Sequence, residues 1–192
     1  NFGQHNRDMD VVDALVKTKE KYGFPEKFRT CYGKNTDEKI LNVAKKMYEN
    51  GLEKGITLSR QSNNKEVLKF VKRGNIKMST YMHLQKKFNE LNIPVYSELI
   101  LGLPGETYDS WRQGIEELLQ AGLKNQLFVY LCQVFPNTEL ADEEYCKKYG
   151  IVTQRIELNE IHGSFRGPDE IPEFEDVIIS TKTMPLEDWK RM

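Results

Sequence analysis

The chain has 192 residues, 28 basic against 29 acidic side chains, and a formal charge of −1. Its charges are interspersed, which argues against a nucleic-acid partner and favours a small-molecule substrate. No run approaches the ~20 apolar residues of a membrane span, and three widely spaced cysteines argue against a disulfide framework. We therefore expect a cytoplasmic protein with no membrane span.

Helices and strands alternate along the first part of the chain. Each predicted helix carries apolar residues at a spacing of three or four, and each predicted strand is a short run that is rich in apolar or β-branched residues. The predicted elements are a helix over 10–21, a strand over 27–35, a helix from Thr36 to Gly51, a strand over 55–62 and a helix from Asn63 to Gly74.

The same alternation continues with a helix over 79–92, a strand over 93–102, a helix from Thr107 to Gly122 and a strand over 125–135. Strands that alternate with helices indicate parallel βαβ units, and near-continuously apolar strands indicate a sheet that is buried on both faces. The predicted class is therefore α/β, over a first domain of residues 1–150.

The tail, residues 151–192, is predicted to be an extension or lid rather than another βα unit. A short predicted helix precedes the tail, and the first part of the tail is a polar segment that contains several Gly and Pro residues. The last residues, "STKTMPLEDWKRM", resemble a strand that leads into a helix. This ending, and a first residue other than Met, predict a piece of a longer polypeptide.

Polar side chains share one face of two neighbouring predicted strands. Because strand side chains alternate, Ser59 and Gln61 point to the face opposite Leu58, and Glu98 points away from the more apolar face of its own strand. A buried carboxylate needs a partner or a water-filled cavity. The residues alone leave two interpretations open: a binding site, or Glu98 paired with a basic residue at the sheet edge.

Two further features lie near the same strand ends, where ligands gather in parallel sheets. Arg73 lies twelve residues after Gln61, in the last turn of the following predicted helix, where a solvated basic helix end is the alternative interpretation. Gly102 and Gly105 follow Glu98 and would allow a ligand to approach the backbone closely. The same glycines also suit an ordinary tight turn before a helix.

"TLSRQSNNKEVLKFVKRG" (57–74) and "SELILGLPGETYDSW" (97–111), in this order and at this spacing, resemble the radical SAM superfamily. The resemblance covers most of residues 10–150. It implies a partial TIM-like (βα) barrel whose first βα units lie outside this chain. "NFGQHNRD", "QVFPNTEL" and "DVIISTKTM" are most similar to the cobalamin-associated branch, which includes magnesium-protoporphyrin monomethyl ester cyclase-like proteins.

Such enzymes bind S-adenosylmethionine beside a [4Fe–4S] cluster and cleave it reductively to a 5′-deoxyadenosyl radical that acts on the substrate. The resemblance therefore implies both cofactors, an electron donor, and cobalamin bound outside this chain. It assigns polar contacts with S-adenosylmethionine to Gln61, Arg73 and Glu98, of which Arg73 suits the methionyl carboxylate and Glu98 the ribose hydroxyls or ammonium group. Ser59, on the same face as Gln61, is a further candidate for a polar contact. Ile100 and Leu103 are candidates to pack near adenine, with an ordinary core role as the alternative.

One part of the family pattern is absent from this chain. Cys31, Cys132 and Cys146 are too far apart for the CxxxCxxC motif that holds the cluster. Two explanations compete: the cluster loop lies outside a fragment, or the protein is a degenerate homologue without redox chemistry. We expect the fragment, and we expect this piece alone to be inactive.

Two other function classes remain as alternatives. An unrelated barrel lyase or aldolase would need a strand-end lysine or a histidine cluster, and the three histidines, His5, His83 and His162, are scattered. A non-catalytic module that binds a nucleotide-like ligand, or serves in interaction, would use the same polar face on a degenerate (βα) barrel. The remainder of the polypeptide would separate it from the enzyme.

Overall fold

The structure, a computed structural model, describes residues 2–33, 38–158, 160–161, 164–165, 167 and 171–192. Helices dominate the part that precedes residue 121, and a 3₁₀ turn lies at Glu139–Ala141. The helices are α1 (Arg7–Tyr22), α2 (Glu38–Glu49), α3 (Lys65–Phe70), α4 (Met78–Glu90), α5 (Tyr108–Gln120), α6 (Glu143–Tyr149) and α7 (Leu186–Arg191). No described helix is both long and apolar enough to cross a membrane.

Three strands form one sheet in the order β1, β2, β3, and helices lie between them along the chain, as predicted. β1 pairs parallel with β2, with Ile56 opposite Val95. Two antiparallel pairs, β4 with β7 and β5 with β6, follow in the tail. The strands are β1 (Ile56–Thr57), β2 (Val95–Leu101), β3 (Leu127–Leu131), β4 (Val152–Leu158), β5 (Glu160–Ile161), β6 (Ser164–Phe165) and β7 (Glu173–Ser180).

The chain divides into two compact units, and β2 and β3 each run from one into the other. The first comprises Asn1–Gln61, Gly74–Leu99 and Gly114–Phe128; the second comprises Ser62–Arg73, Ile100–Gln113 and Val129–Met192. Fully buried side chains in the first unit include Ile40, Met47, Ile56, Tyr81, Leu84, Phe88 and Leu99. The core of the second contains Val67, Leu103, Cys132 and Ile178. The domain boundary near residue 150 stays a prediction.

α3 begins as predicted but ends early. The Asn64 side chain accepts from the backbone N–H of Glu66 at 2.9 Å, which caps the helix. The helix stops at Phe70 because Lys72 adopts a left-handed φ of 51° and the Arg73 N–H bonds back to the Leu68 carbonyl at 2.8 Å. The predicted end at Gly74 is therefore wrong, and Arg73 lies beyond the helix rather than in its last turn.

The strand predicted over 27–35 is also wrong for its described part, where only Tyr32 forms a bridge, with Phe2. The aromatic residues of this segment suggested a strand, but their rings pack against Phe2 instead. Phe2 packs edge-on against Phe28 and Tyr32, at centroid distances of 5.8 and 6.3 Å. The predicted helix start at Thr36 lies outside the described residues.

β3 departs from the expectation of a sheet buried on both faces. Its residues from Phe128 to Leu131 are 37 to 52% exposed. β3 ends the order of the described sheet, with β2 as its one neighbour there. An apolar run of residues indicates that a strand tends to be buried. Whether other elements cover that strand depends on the tertiary structure.

The tail contains more regular structure than its composition suggested. β4 and β7 form seven antiparallel residue pairs, and Arg155 forms a two-pronged ion pair with Asp176 across the ribbon at 2.8 and 3.1 Å. The predicted helix at the end is confirmed as α7, but the strand predicted before it is wrong: β7 ends at Ser180, and residues 181–184 form a turn in which Thr181 bridges to Met184. β4 was not predicted because both of its faces are largely exposed, so its sequence lacks the regular alternation of apolar and polar residues that indicates a strand.

Candidate cofactor-binding site

The candidate site lies where β1 and β2 approach their carboxyl ends. Beyond Thr57 the chain stays extended beside β2, with the Leu58 N–H bonded to the Tyr96 carbonyl at 2.9 Å and a parallel bridge between Gln61 and Leu99. Burial alternates as the sequence predicts: Ile56, Leu58 and Arg60 are buried, while Thr57 and Ser59 are partly exposed. The polar face is therefore real.

Ser59 and Glu98 meet on that face. The Ser59 hydroxyl donates to Oε2 of Glu98, and both residues are partly exposed. In the part of the chain that the structure describes, no lysine or arginine forms an ion pair with Glu98. The described residues therefore do not support the alternative in which Glu98 pairs with a basic residue at the sheet edge. The Glu98 carboxylate can still accept a hydrogen bond from a ligand.

Gln61 lies beside this pair in an unusual backbone conformation. Its φ is +63°, and its residue is only 6% exposed. Its N–H and that of Arg60 both donate to the Glu98 carbonyl, at 2.9 and 3.1 Å. A left-handed conformation costs a non-glycine residue about 1 kcal/mol or more, and it persists where the surroundings impose it. Ser59, Gln61 and Glu98 are thus brought together.

A buried polar cluster that the sequence analysis missed lies on the other face of the same strands. Arg60, 5% exposed, donates through Nη1 to the Ile76 carbonyl, and its guanidinium lies 5.7 Å from the ring centroid of Tyr81. Ser97 donates to the Leu58 carbonyl at 3.0 Å, so the Tyr81 hydroxyl must donate to Ser97, at 2.6 Å.

Burial controls the ionisation of this cluster. It lowers the pKa of Arg60 and raises the pKa of Tyr81, so that the charged arginine faces a neutral phenol. A signal was present in the sequence, because alternation places Arg60 in register with Ile56 and Leu58. An arginine on an apolar face implies a buried partner.

The other three predicted residues belong to the second unit. Arg73 is exposed, just beyond α3. Leu103 is a core residue of that unit, and Ile100 packs against the same core. The contacts described for Ile100 and Leu103 are those of core side chains, and contact with adenine stays a prediction for them.

The protein itself fills the space beside Gly102 and Gly105. A Cβ on Gly102 would lie 3.0 Å from the Ile178 carbonyl oxygen, and one on Gly105 would lie 2.6 Å from the Phe70 ring. Both residues have positive φ, of 107° and 87°. The expectation that these glycines admit a ligand is therefore wrong for the space that a Cβ would occupy.

Glu106, which follows this turn, is a second carboxylate. It is 1% exposed. Its Oε2 accepts from the Ser62 hydroxyl at 2.7 Å, its Oε1 accepts from the Ser110 hydroxyl, and its backbone carbonyl accepts from Thr183 Oγ1 at 2.8 Å. Glu106 thus ties three segments of the second unit together.

Metal-ligating residues do not converge in the described ranges. Among those residues, no group of three or more His, Cys, Asp and Glu side chains could hold a metal ion. Cys31 is exposed, whereas Cys132 is buried in apolar surroundings that raise its pKa to about 12. The described residues therefore do not fit an iron–sulfur cluster.

Two curated proteins are similar to almost the whole chain. The cobalamin-dependent radical SAM methyltransferase TokK of Streptomyces tokunonensis is 36% identical over 191 residues. The 2-(S-pantetheinyl)-carbapenam-3-carboxylate methyltransferase of Streptantibioticus cattleyicolor is 34% identical over 191 residues. Each alignment covers 98% of this chain, and the chain spans 28% of the length of each relative. No protein-family model matches the chain.

Two solved structures of the radical SAM methyltransferase TsrM from Kitasatospora setae share its fold. One, with tryptophan substrate and an S-adenosylmethionine analogue bound, aligns with a TM-score of 0.55 over 80% of this chain at 16% identity. The other, with cobalamin and a [4Fe–4S] cluster bound, aligns with a TM-score of 0.56 over 76% of this chain, also at 16% identity. Each match covers 30% of the TsrM chain, which confirms the predicted partial barrel.

Proposed function

Because this chain belongs to the radical SAM superfamily, in its cobalamin-associated branch, we propose that it forms part of the S-adenosylmethionine site of a methyltransferase. The observation that carries the proposal is the similarity to two methyltransferases over 98% of this chain. The polar face at the ends of β1 and β2 supports it independently, since ligands of parallel sheets bind there.

The residues on this face suit the polar groups of S-adenosylmethionine. Glu98 can accept from the ribose hydroxyls or from the ammonium group, while Ser59, which donates to Glu98, holds the carboxylate in place. Gln61 is buried, and its side-chain amide contains both a donor and an acceptor group. Arg73 is assigned to the methionyl carboxylate by resemblance alone. When bound, S-adenosylmethionine supplies a methyl group or, after one-electron cleavage, a 5′-deoxyadenosyl radical.

The remaining cofactors belong to the proposal for the whole protein. The [4Fe–4S] cluster is held by a CxxxCxxC motif elsewhere in the polypeptide, because the described cysteines do not fit it. Cobalamin also binds outside this chain. The protein further requires an electron donor and acts on a small molecule. A non-catalytic module gains no support, since both curated relatives carry methyltransferase names.

Titration calorimetry of S-adenosylmethionine with the full-length, cluster-loaded protein tests the proposal. We expect Glu98→Gln and Arg73→Ala each to weaken binding about tenfold or more, since a hydrogen bond to a charged group contributes roughly 1.5–3 kcal/mol. Glu20→Gln, on an exposed position of α1, is the matched control and should leave the affinity unchanged.

Two results would contradict different parts of the proposal. A wild-type protein that does not bind S-adenosylmethionine would exclude the function. Wild-type binding that both variants retain would keep the function but refute the assigned residues.

A further inference from the structure

The segment "SRQ" carries polar groups toward both faces of the sheet. Ser59 meets Glu98 on one face, whereas Arg60 meets Ile76 and Tyr81 on the other. The two faces are separated by one strand thickness only. A buried arginine directly behind a half-exposed binding face therefore needs an explanation, because desolvating its charge is costly.

We propose that Arg60, supported by Tyr81 and Ser97, is a positioning residue that holds Gln61 and Glu98 in their binding geometry. This inference rests on the proposed function, since it concerns the same S-adenosylmethionine site. Arg60 itself does not touch the cofactor. It acts through the backbone that it shares with Ser59 and Gln61.

The first support comes from the backbone. Gln61 is held at a φ of +63°, and its N–H shares the Glu98 carbonyl with the N–H of Arg60. The Arg60 side chain, anchored at the Ile76 carbonyl, prevents the chain from rotating about this point. Without that anchor, Gln61 can relax toward an ordinary extended or helical conformation, because the left-handed one is intrinsically unfavourable.

The second support comes from the neighbouring strand. Ser97 precedes Glu98 and faces the opposite side of β2, where it links the Tyr81 hydroxyl to the Leu58 carbonyl. This chain of bonds ties β2 and α4 to the extended segment that follows β1, within one unit. Removing the Tyr81 hydroxyl leaves Ser97 with one bond fewer but leaves the Arg60 anchor in place. The two contributions can therefore be separated.

A purely structural role would predict something different. Arg60 would then contribute stability only, and any substitution of equal destabilising effect would leave the same cofactor affinity. Leu84, a fully buried side chain of α4, offers the comparison, because it lies on the same helix as Tyr81 and carries no polar group. Leu84→Ala removes packing from this unit without removing a polar group.

The test measures S-adenosylmethionine affinity by calorimetry in full-length Arg60→Met, Arg60→Lys, Tyr81→Phe and Leu84→Ala variants, well below each melting temperature. We expect Arg60→Met to weaken binding at least tenfold and Arg60→Lys to restore part of it, because lysine still reaches a carbonyl acceptor. Tyr81→Phe should weaken binding a few-fold. Leu84→Ala should lower the melting temperature but change affinity less than twofold.

Several outcomes would overturn the inference. Arg60→Met with wild-type affinity, or with the same loss as Leu84→Ala, would reduce Arg60 to a structural residue. If Arg60→Met fails to fold, Arg60→Lys and Tyr81→Phe decide: wild-type affinity in both refutes the inference. A wild-type protein that does not bind S-adenosylmethionine would instead exclude the proposed function, and a Glu98→Gln variant that binds normally would refute the assignment of Glu98.

Discussion

Two carboxylates lie eight residues apart in "SELILGLPGE" and have opposite surroundings. Glu98, on β2 in the first unit, is half-buried and accepts from Ser59. Glu106, in the second unit, is fully buried and accepts from Ser62 and Ser110. Glu98, with one side-chain partner, faces the candidate site, whereas Glu106, with a partner on each carboxylate oxygen, stabilises the fold. The number of hydrogen-bond partners, rather than charge, distinguishes the proposed binding residue Glu98 from Glu106.

The largest expected effect is a difference in stability between variants of Glu106 and variants of Glu98. Glu106→Ala removes the acceptor of two hydroxyls and leaves a cavity, so we expect it to lower the free energy of local opening by about 3 kcal/mol. Glu98→Ala should lower it by less than about 1 kcal/mol, because water can replace the carboxylate at Ser59. Hydrogen exchange of residues 97–113 in the full-length protein measures both.

Glu106→Gln provides the control for this comparison. A glutamine retains one acceptor and can donate to the second hydroxyl, so most of the stability should return. Equal losses in Glu98→Ala and Glu106→Ala would show that the two sites have the same structural role.

A smaller effect concerns the turn that carries Glu106. Gly105→Ala places a methyl group against the Phe70 ring at a positive φ, so we expect a loss of about 2 kcal/mol. Gly74→Ala is the matched control, because no atom lies within 4 Å of its added Cβ. Thermal unfolding of the two full-length variants makes the comparison. A Gly105→Ala variant as stable as Gly74→Ala would mean that the turn is not held by this packing.

A third carboxylate, Asp8, makes the stability of the protein depend on pH. Burial alone would raise the pKa of Asp8, but the N–H groups of Gly3, Gln4 and His5 all donate to its Oδ2 and together hold the pKa below its usual range. Its stabilising contribution is therefore present above the unfolded-state pKa, near 4, and declines as the pH falls through the lower folded-state value.

Asp8→Asn reveals this contribution. The melting temperature of the wild-type, full-length protein should exceed that of the variant at pH 6, and the difference should shrink progressively below pH 4. A difference that stays constant from pH 6 to pH 3 would contradict the role of the ionised carboxylate.

Much of the fold could be predicted because periodicity reports burial. The helices α1, α4 and α5 and the strands β1 to β3 all lie within their predicted ranges or within a few residues of them. The polar face of Ser59, Gln61 and Glu98 followed from strand alternation in the same way. The local sequence pattern is sufficient to predict whether a side chain is buried where the helix or strand that carries it determines which way it faces.

Other features depended on partners that are distant in the chain. Arg60 meets Ile76 and Tyr81, sixteen and twenty-one residues away, and Glu106 meets Ser62 across forty-four residues. No periodicity encodes such pairs. The cofactor contacts predicted for Arg73, Ile100 and Leu103 rest on resemblance alone for the same reason.

The sequence by itself determined the order of helices and strands, the face on which Glu98 lies and the family resemblance, because these depend on residue types at short spacings. Only the tertiary structure decided that the Gly102 and Gly105 turn is packed by Ile178 and Phe70, that Gln61 is held in a left-handed conformation and that β3 is exposed. These outcomes depend on which atoms arrive from elsewhere in the chain, and short-range patterns carry no information about that.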